Sequence, residues 1–194
     1  ERQLAETFNV SRGTIREALR RLEELGMVTR EIGSGTFVTY REFPAQTAIA
    51  DVTSPVELIE VRSGIEPQMV KLAIAHATAI DIERLHKALT RVESSQSDPE
   101  SFTLADSEFH LSLAECTRNR LMVWLYQLIN ETRTHSQWAS MKDTILTSER
   151  IAKYNAQHRQ LYNAIASRNL DTAVDTIHQH LEKARTDLMG VSNT

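Results

Sequence analysis

The run Asn9-Val10-Ser11-Arg12-Gly13-Thr14-Ile15-Arg16-Glu17-Ala18-Leu19-Arg20-Arg21-Leu22 constrains the fold of this chain more than any other feature. Ile15, Ala18, Leu19, Leu22 and Leu25 recur at helical spacing and form an apolar stripe. Arg12, Arg16 and Arg20 fall four apart and project from another side. Ser11 stands at the N-cap position, before the first apolar periodic residue. A helix that packs on one side and carries arginines on the other suits a recognition helix, whose N-terminal end enters the major groove of DNA. An amphipathic surface helix with a solvated arginine face fits the same pattern.

The flanking residues separate these readings. Glu1 to Phe8 places Leu4, Ala5 and Phe8 on one face and reads as a short helix, and Asn9-Val10 then supplies a turn, giving helix-turn-helix. Gly26 stops the second helix. Met27 to Glu31 and Thr36 to Tyr40 read as strands joined by Gly33-Ser34-Gly35. Two helices followed by a glycine-tipped hairpin make a winged helix. Every basic residue among residues 1–41 is arginine, which suits bidentate contacts to guanine or phosphate better than lysine does.

Residues 1–40 resemble the DNA-binding domain of the GntR family of bacterial transcription regulators. The resemblance rests on Glu1-Arg2-Gln3-Leu4-Ala5, Val10 through Leu19, Leu22-Glu23-Glu24-Leu25-Gly26 and Gly33 through Val38. It implies that Arg2, Ser11, Arg12, Gly13, Thr14 and Arg16 contact the operator, with Gly33 at the wing. Arg20 and Arg21 match less specifically and are read as solvated. The family's domain has a further helix before Glu1, and this chain starts without methionine. The expectation is therefore that a first helix, which would complete the small domain's core, is missing here.

The charge is unevenly distributed. Residues 1–41 hold seven basic and six acidic side chains, whereas the remainder holds 15 basic and 20 acidic. The acidic remainder argues against a second nucleic-acid surface. One cysteine, Cys116, excludes an intrachain disulfide and suits a reducing cytoplasm. No apolar run reaches the length of a membrane span, and no signal peptide is visible.

Residues 41–54 read as a linker that ends in Thr53-Ser54-Pro55, a cap and proline that start a helix. Glycine is nearly absent between Gly64 and Gly190. The pattern predicts helices near 55–76, 80–97, 99–116, 119–140, 147–168 and 170–189, with Pro67 kinking or splitting the first. Short breaks between them predict an all-α antiparallel bundle over 55–190, so the fold class is mainly α.

Asp106 and His110 are four apart on the 99–116 helix and share a face, and both side chains ligate divalent metals. His158 and His180 each sit at the edge of an apolar stripe, marked by Leu161 and Ile165 for one and Leu181 and Ala184 for the other. A histidine facing a bundle interior needs a partner, and a metal shared with Asp106 and His110 would supply one. Spacing alone leaves ordinary hydrogen-bonded histidines as the alternative. His76, His86, His135 and His178 are read that way.

Residues 55–190 are similar to the helical FCD effector domain of the FadR-type branch of the same family. The matches are Glu60-Val61-Arg62, Ile65-Glu66-Pro67, Leu72-Ala73, Asp106 through His110, Asn119, His158 with Ala164-Ile165, and His180-Leu181. The resemblance implies a divalent metal, zinc first with nickel or manganese as alternatives, held by Asp106, His110, His158 and His180. Gln157 departs from the glutamate the family often has there, and His178 is a competing donor beside His180. The family's arginine at Arg62 faces the cavity beside the metal, implying a small organic acid as effector; alternatively Arg62 pairs with Glu66, its neighbour four residues on. The expected protein is a homodimeric regulator of a palindromic operator, a repressor relieved by its ligand, and not an enzyme. The rival readings are a metal-dependent hydrolase or lyase and a constitutive DNA-binding protein with a structural metal.

Overall fold

The computed structural model describes residues 1–24, 27–31, 35–38, 49–50, 52–95, 98–133 and 145–191. It divides into two compact units, Glu1–Ala45 and Gln46–Thr194.

The first unit is a winged helix-turn-helix. Helix α1, Arg2–Phe8, ends at Asn9, whose φ of 51° is left-handed, a conformation asparagine tolerates. Helix α2, Arg12–Glu24, is capped by Ser11, whose Oγ accepts from the Thr14 amide at 3.1 Å. Ile15 and Leu19 are buried with Ala5, and Leu22 packs against them. Ala18, Leu4 and Phe8 are exposed, so the apolar stripe is narrower than its spacing suggests. Strands β1, Val28–Glu31, and β2, Gly35–Val38, pair antiparallel with Val28 opposite Val38 and Glu31 opposite Gly35. Arg30 on β1 donates through Nε to Glu23 on α2 at 2.8 Å, which ties the hairpin to the helix. The hairpin tip with Gly33, together with residues 39–48, lies outside the described residues.

The second unit is helical. Its described long helices are α3 Pro55–His76, α4 Ala79–Ser94, α5 Pro99–Cys116, α6 Arg120–Arg133, α7 Ser148–Ala166 and α8 Leu170–Val191. Their starts are written in side chains. Ser54 with Glu57 and Thr78 with Asp81 form capping boxes, Asp98 caps α5 ahead of Pro99, and Asn119 and Asn169 cap α6 and α8. Arg118 and Arg168 take left-handed φ values of 55° and 59°, so the chain reverses within a few residues after α5 and after α7. Pro67 does not split α3, which runs unbroken past it with the proline ring buried. The expected 134–140 part of α6, the break at Lys142-Asp143 and His135 fall outside the described residues.

Helix α3 packs against α5, α6, α7 and α8; α4 packs against α5 and α7. Met69, Leu85, Leu89, Phe109, Leu113, Leu161, Ile165 and Ile177 fill the common core. Cys116 is buried there, and burial pushes its thiol up to about 12, which keeps it protonated. Arg168 reaches the C-terminal end of α3, where its guanidinium donates to the carbonyls of Ala73 (3.2 Å), Ile74 and Ala77. A cation there satisfies orphan carbonyls and meets the negative end of the helix dipole. Arg168→Ala is expected to destabilise the protein by about 1–3 kcal/mol, the range for charge-assisted hydrogen bonds. Urea denaturation checks this; a change within error shows that water replaces the guanidinium without loss.

Candidate metal and effector site

Five helices of the second unit bring polar side chains to one buried place. Asp106 and His110 come from α5, His158 from α7 and His180 from α8, each at most 3% exposed. One donor atom from each lies within 4.8 Å of the others. His158 Nε2 is 3.0 Å from Asp106 Oδ1, and His110 Nε2 is 3.8 Å from it. His178 and Glu108 are exposed, and Glu108 pairs with Arg91 at 2.7 Å, so neither joins the cluster. His76 and His86 are exposed as well.

Around the cluster lie partners that orient the rings. His110 Nδ1 is 2.9 Å from Glu66 Oε2, which turns Nε2 toward Asp106. Glu66, fully buried on α3, also receives the Arg62 Nε at 2.5 Å and the Tyr126 hydroxyl of α6 at 2.8 Å. His180 Nδ1 donates to Gln157 Oε1 at 3.3 Å. On His158 neither ring nitrogen has a hydrogen-bond partner among the described residues, its Nε2 being close to Asp106 but poorly directed; on His110 only Nδ1 lacks one, its approach to Glu66 being an ion-pair contact. Such an orphan in a fully buried ring is what a metal ligand looks like without its ion.

Burial and neighbouring rings depress the proton affinity of these imidazoles. His110 lies below the ordinary 6.5, because desolvation outweighs Glu66; His158 and His180 lie well below it, through desolvation and each other's proximity. All three therefore keep a lone pair at neutral pH. Burial works against ionisation of Glu66, but Arg62 and then His110 overcome it and hold the carboxyl well below 4.5. An array of three neutral imidazoles and one carboxylate is a nitrogen-rich donor set that suits zinc, nickel or manganese.

A cavity of about 110 Å³ adjoins the cluster. Arg62, Asp106, His180 and Tyr154 line it, with Leu58, Ile59 and Phe102 on the apolar wall. Arg62 pairs with Glu66 through Nε and also lines the cavity, its Nη2 3.4 Å from His110 Nε2. A further cation, Arg133 at the end of α6, donates to Asp106 Oδ2 and lines the same cavity. Sequence reasoning did not find it.

On the winged helix, Arg2, Ser11, Arg12, Gly13, Thr14 and Arg16 are all exposed. Ser11 and Thr14 share a hydroxyl hydrogen bond at 2.9 Å. Arg2 pairs with Glu6 at 3.1 Å and Arg16 with Glu1 at 3.4 Å, both on the surface. Arg20 lies between Glu17 (2.6 Å) and Glu24, and Arg21 reaches Glu17 at 3.6 Å, in line with their solvated reading. A Cβ on Gly13 would meet only Ser11 Oγ, at 3.5 Å, so packing within the unit does not demand glycine there.

Residues 1–38 match the family described as bacterial regulatory proteins, gntR family, and residues 57–183 match the FCD domain. The chain is 33% identical over 199 residues to the HTH-type transcriptional regulator LutR of Bacillus subtilis, covering 96% of this chain and 89% of that protein. The chain belongs to the GntR family. Its helical unit places it in the FCD branch, as the sequence resemblance implied. The Uxu operon regulator of Haemophilus influenzae is 31% identical over 196 residues, covering all of this chain and 74% of its own. The solved structure of Streptococcus agalactiae GntR superposes with a TM-score of 0.61 at 26% identity, over 95% of this chain and 86% of that one. This GntR-family protein is a DNA-binding transcriptional regulator and not an enzyme, which sets aside the hydrolase or lyase reading. Among the described residues, no helix is long and apolar enough to cross a membrane.

The depressed imidazoles carry a pH dependence whose sign is fixed. Below about 6.5 the unfolded histidines take up protons that the folded ones refuse, so acid favours unfolding. Metal-stripped protein should melt lower as pH falls from about 7.5 to 5.5, by at most about 1.4 kcal/mol per pH unit for each histidine. His158→Asn should flatten that slope. A melting temperature level across the interval would contradict the burial of neutral rings.

Proposed function

We propose that this regulator binds a palindromic operator as a homodimer in the cytoplasm, and that a small organic acid controls the binding. The acid is held at a divalent metal by Arg62, and the metal by Asp106, His110, His158 and His180. The observation that carries this reading is the buried convergence of those four side chains beside a cavity lined by Arg62. The His158 ring supports the metal: among the described residues neither of its nitrogens has an aligned hydrogen-bond partner, which is costly for a buried imidazole unless an ion takes one of them. A bound divalent ion supplies Lewis acidity and open coordination positions to a carboxylate. Arg62 supplies a guanidinium, the fork-shaped partner of a carboxylate. The presence of a cavity favours a ligand-responsive site over a purely structural ion.

DNA contact is assigned to Arg2, Ser11, Arg12, Gly13, Thr14 and Arg16, with Gly33 at the wing. Two observations support it: all but Gly33 are exposed on α1 and at the N-terminal end of α2, and packing does not require Gly13 to be glycine. One winged helix makes too few contacts for tight binding, so two copies read the two half-sites. The domain roles follow: residues 1–40 bind DNA, 41–54 link, and 55–190 sense the ligand and dimerise. The ligand acts by favouring one of two arrangements of the dimer, and only its difference in affinity for them does so. Repression relieved by ligand is the expected sign.

Arg16→Ala is expected to weaken operator binding by about 1–3 kcal/mol and to leave folding and metal content unchanged. Gel-shift titration checks this, and unaltered affinity removes Arg16 from the contact set. His158→Ala should lower metal content, measured by elemental analysis, and blunt the melting-temperature response to small carboxylic acids. Full metal occupancy in that variant means the ligand set is wrong. A wild-type protein with bound metal, no response to any acid and ligand-independent DNA binding would reduce the metal to a structural role.

A further inference from the structure

The cavity beside the histidine cluster is walled by residues of α3, α5, α6, α7 and α8, and by one stretch that belongs to none of them. Ile145 and Leu146 stand just ahead of Thr147, the N-cap of α7, and both line the cavity. Ile145 is buried. Its carbonyl accepts from the Thr147 amide at 3.0 Å and from Arg150 Nη1 at 3.1 Å. Among the described residues, the backbone of this stretch reaches a side chain of the long helices only through Arg150.

Arg150 is held in turn by a carboxylate of α8. Asp187 Oδ1 lies 3.6 Å from Arg150 Nε, and Asp187 Oδ2 accepts from the Tyr154 hydroxyl at 2.7 Å and from Lys183 Nζ at 3.0 Å. Arg150, Lys183 and Asp187 neither line the cavity nor belong to the group of Asp106 and three histidines. Tyr154 joins the two places, since its hydroxyl bonds Asp187 and the residue lines the cavity.

We propose that Arg150 and Asp187 form a clasp that holds Ile145 and Leu146 closed over the cavity, and that release of this clasp lets the metal exchange with solvent. This rests on the metal reading above.

The four cluster side chains are at most 3% exposed, so an ion reaches them only if a wall moves. The helical walls are hydrogen-bonded along their length and interdigitate in the core, and displacing one disturbs every side chain it packs against. The stretch ahead of α7 has a lighter attachment. The Arg150 side chain is 32% exposed, so water takes over its donors when it lets go. Asp187 keeps Tyr154 and Lys183 as partners in that event, so no buried charge is stranded. Release therefore breaks one partly exposed ion pair and one bond to a carbonyl, and leaves the helix packing as it was.

Stopped-flow transfer of zinc from the zinc-loaded full chain to excess chromogenic chelator tests this. Arg150→Gln should release zinc at least about fivefold faster, the scale of a lost charge-assisted hydrogen bond. Uptake should quicken by a similar factor, so that the zinc dissociation constant stays within about twofold of wild type. Asp187→Asn should quicken both in the same way, and Arg150→Lys should recover part of the slow rate. Arg159→Gln breaks the Arg159–Glu93 pair, which does not touch the stretch ahead of α7, and should leave the rate unchanged. Equal release rates in wild type, Arg150→Gln and Asp187→Asn overturn the inference and leave the metal site intact. Faster release with equally weakened affinity, or the same acceleration in Arg159→Gln, also overturns it, because Arg150 then only supports the fold. A wild-type protein that takes up no zinc, nickel or manganese overturns the metal reading itself, and this inference with it.

Discussion

The buried carboxylate of Glu66 is the group on which the site depends. A carboxylate with no exposed surface costs several kcal/mol unless its charge is matched. Here the match comes from three directions: Arg62 one turn earlier on α3, His110 on α5 and Tyr126 on α6. Each partner is changed by the contact. Arg62 can stand in the interior because Glu66 neutralises it. His110 presents Nε2 to the cluster because Nδ1 faces Glu66. Tyr126 stays protonated, since burial and then Glu66 push its hydroxyl well above 10. An apolar residue at position 66 would strand a guanidinium and free a ring to turn, so one side chain sets both the charge and the direction of the donors.

The three imidazoles are consequently not equivalent. His110 has a carboxylate behind it, His180 an amide oxygen, and His158 only aromatic neighbours, with the Phe109 ring centroid at 4.8 Å. A carboxylate partner raises the basicity of a ligating imidazole more than a neutral amide does. Gln157 gives His180 an amide oxygen where His110 has a carboxylate, so in the proposed metal site His180 is the weaker of the two oriented donors. His158 is fixed by packing rather than by hydrogen bonding, because Phe102 and Phe109 leave its ring little freedom.

Local signals made much of this legible. Ser54-Pro55, Thr78, Asp98-Pro99, Asn119 and Asn169 mark helix starts through bonds spanning three or four residues, so the sequence order itself carries them. The spacing of Asp106 and His110 is local in the same sense. Selecting His158 and His180 over His76, His86, His135 and His178 was beyond spacing and came from family likeness. Beyond the Arg62–Glu66 pair, the network behind the four cluster side chains was not legible. Tyr126 meets Glu66 across 60 positions, Arg133 meets Asp106 across 27, and His180 meets Gln157 across 23. Such pairs depend on which helix faces lie against each other, and helical periodicity gives the faces without the pairing. The α2 stripe shows the converse error, since periodicity included Ala18 and the fold leaves it exposed.

The placement of the cavity bears on how a ligand could reach DNA binding. Pro55, Leu58, Ile59 and Arg62 all line it, so the first two turns of α3 form part of its wall. This is the first long helix after the linker from the winged helix, and its start is pinned by the Ser54 and Glu57 capping box. Glu66, one turn further, ties the same helix to His110 and Tyr126. Bending the helix between its cap and its buried carboxylate would break hydrogen bonds in the interior. In the proposed control by an acid, the leverage of the ligand on α3 is bounded by its preference for one position of that helix.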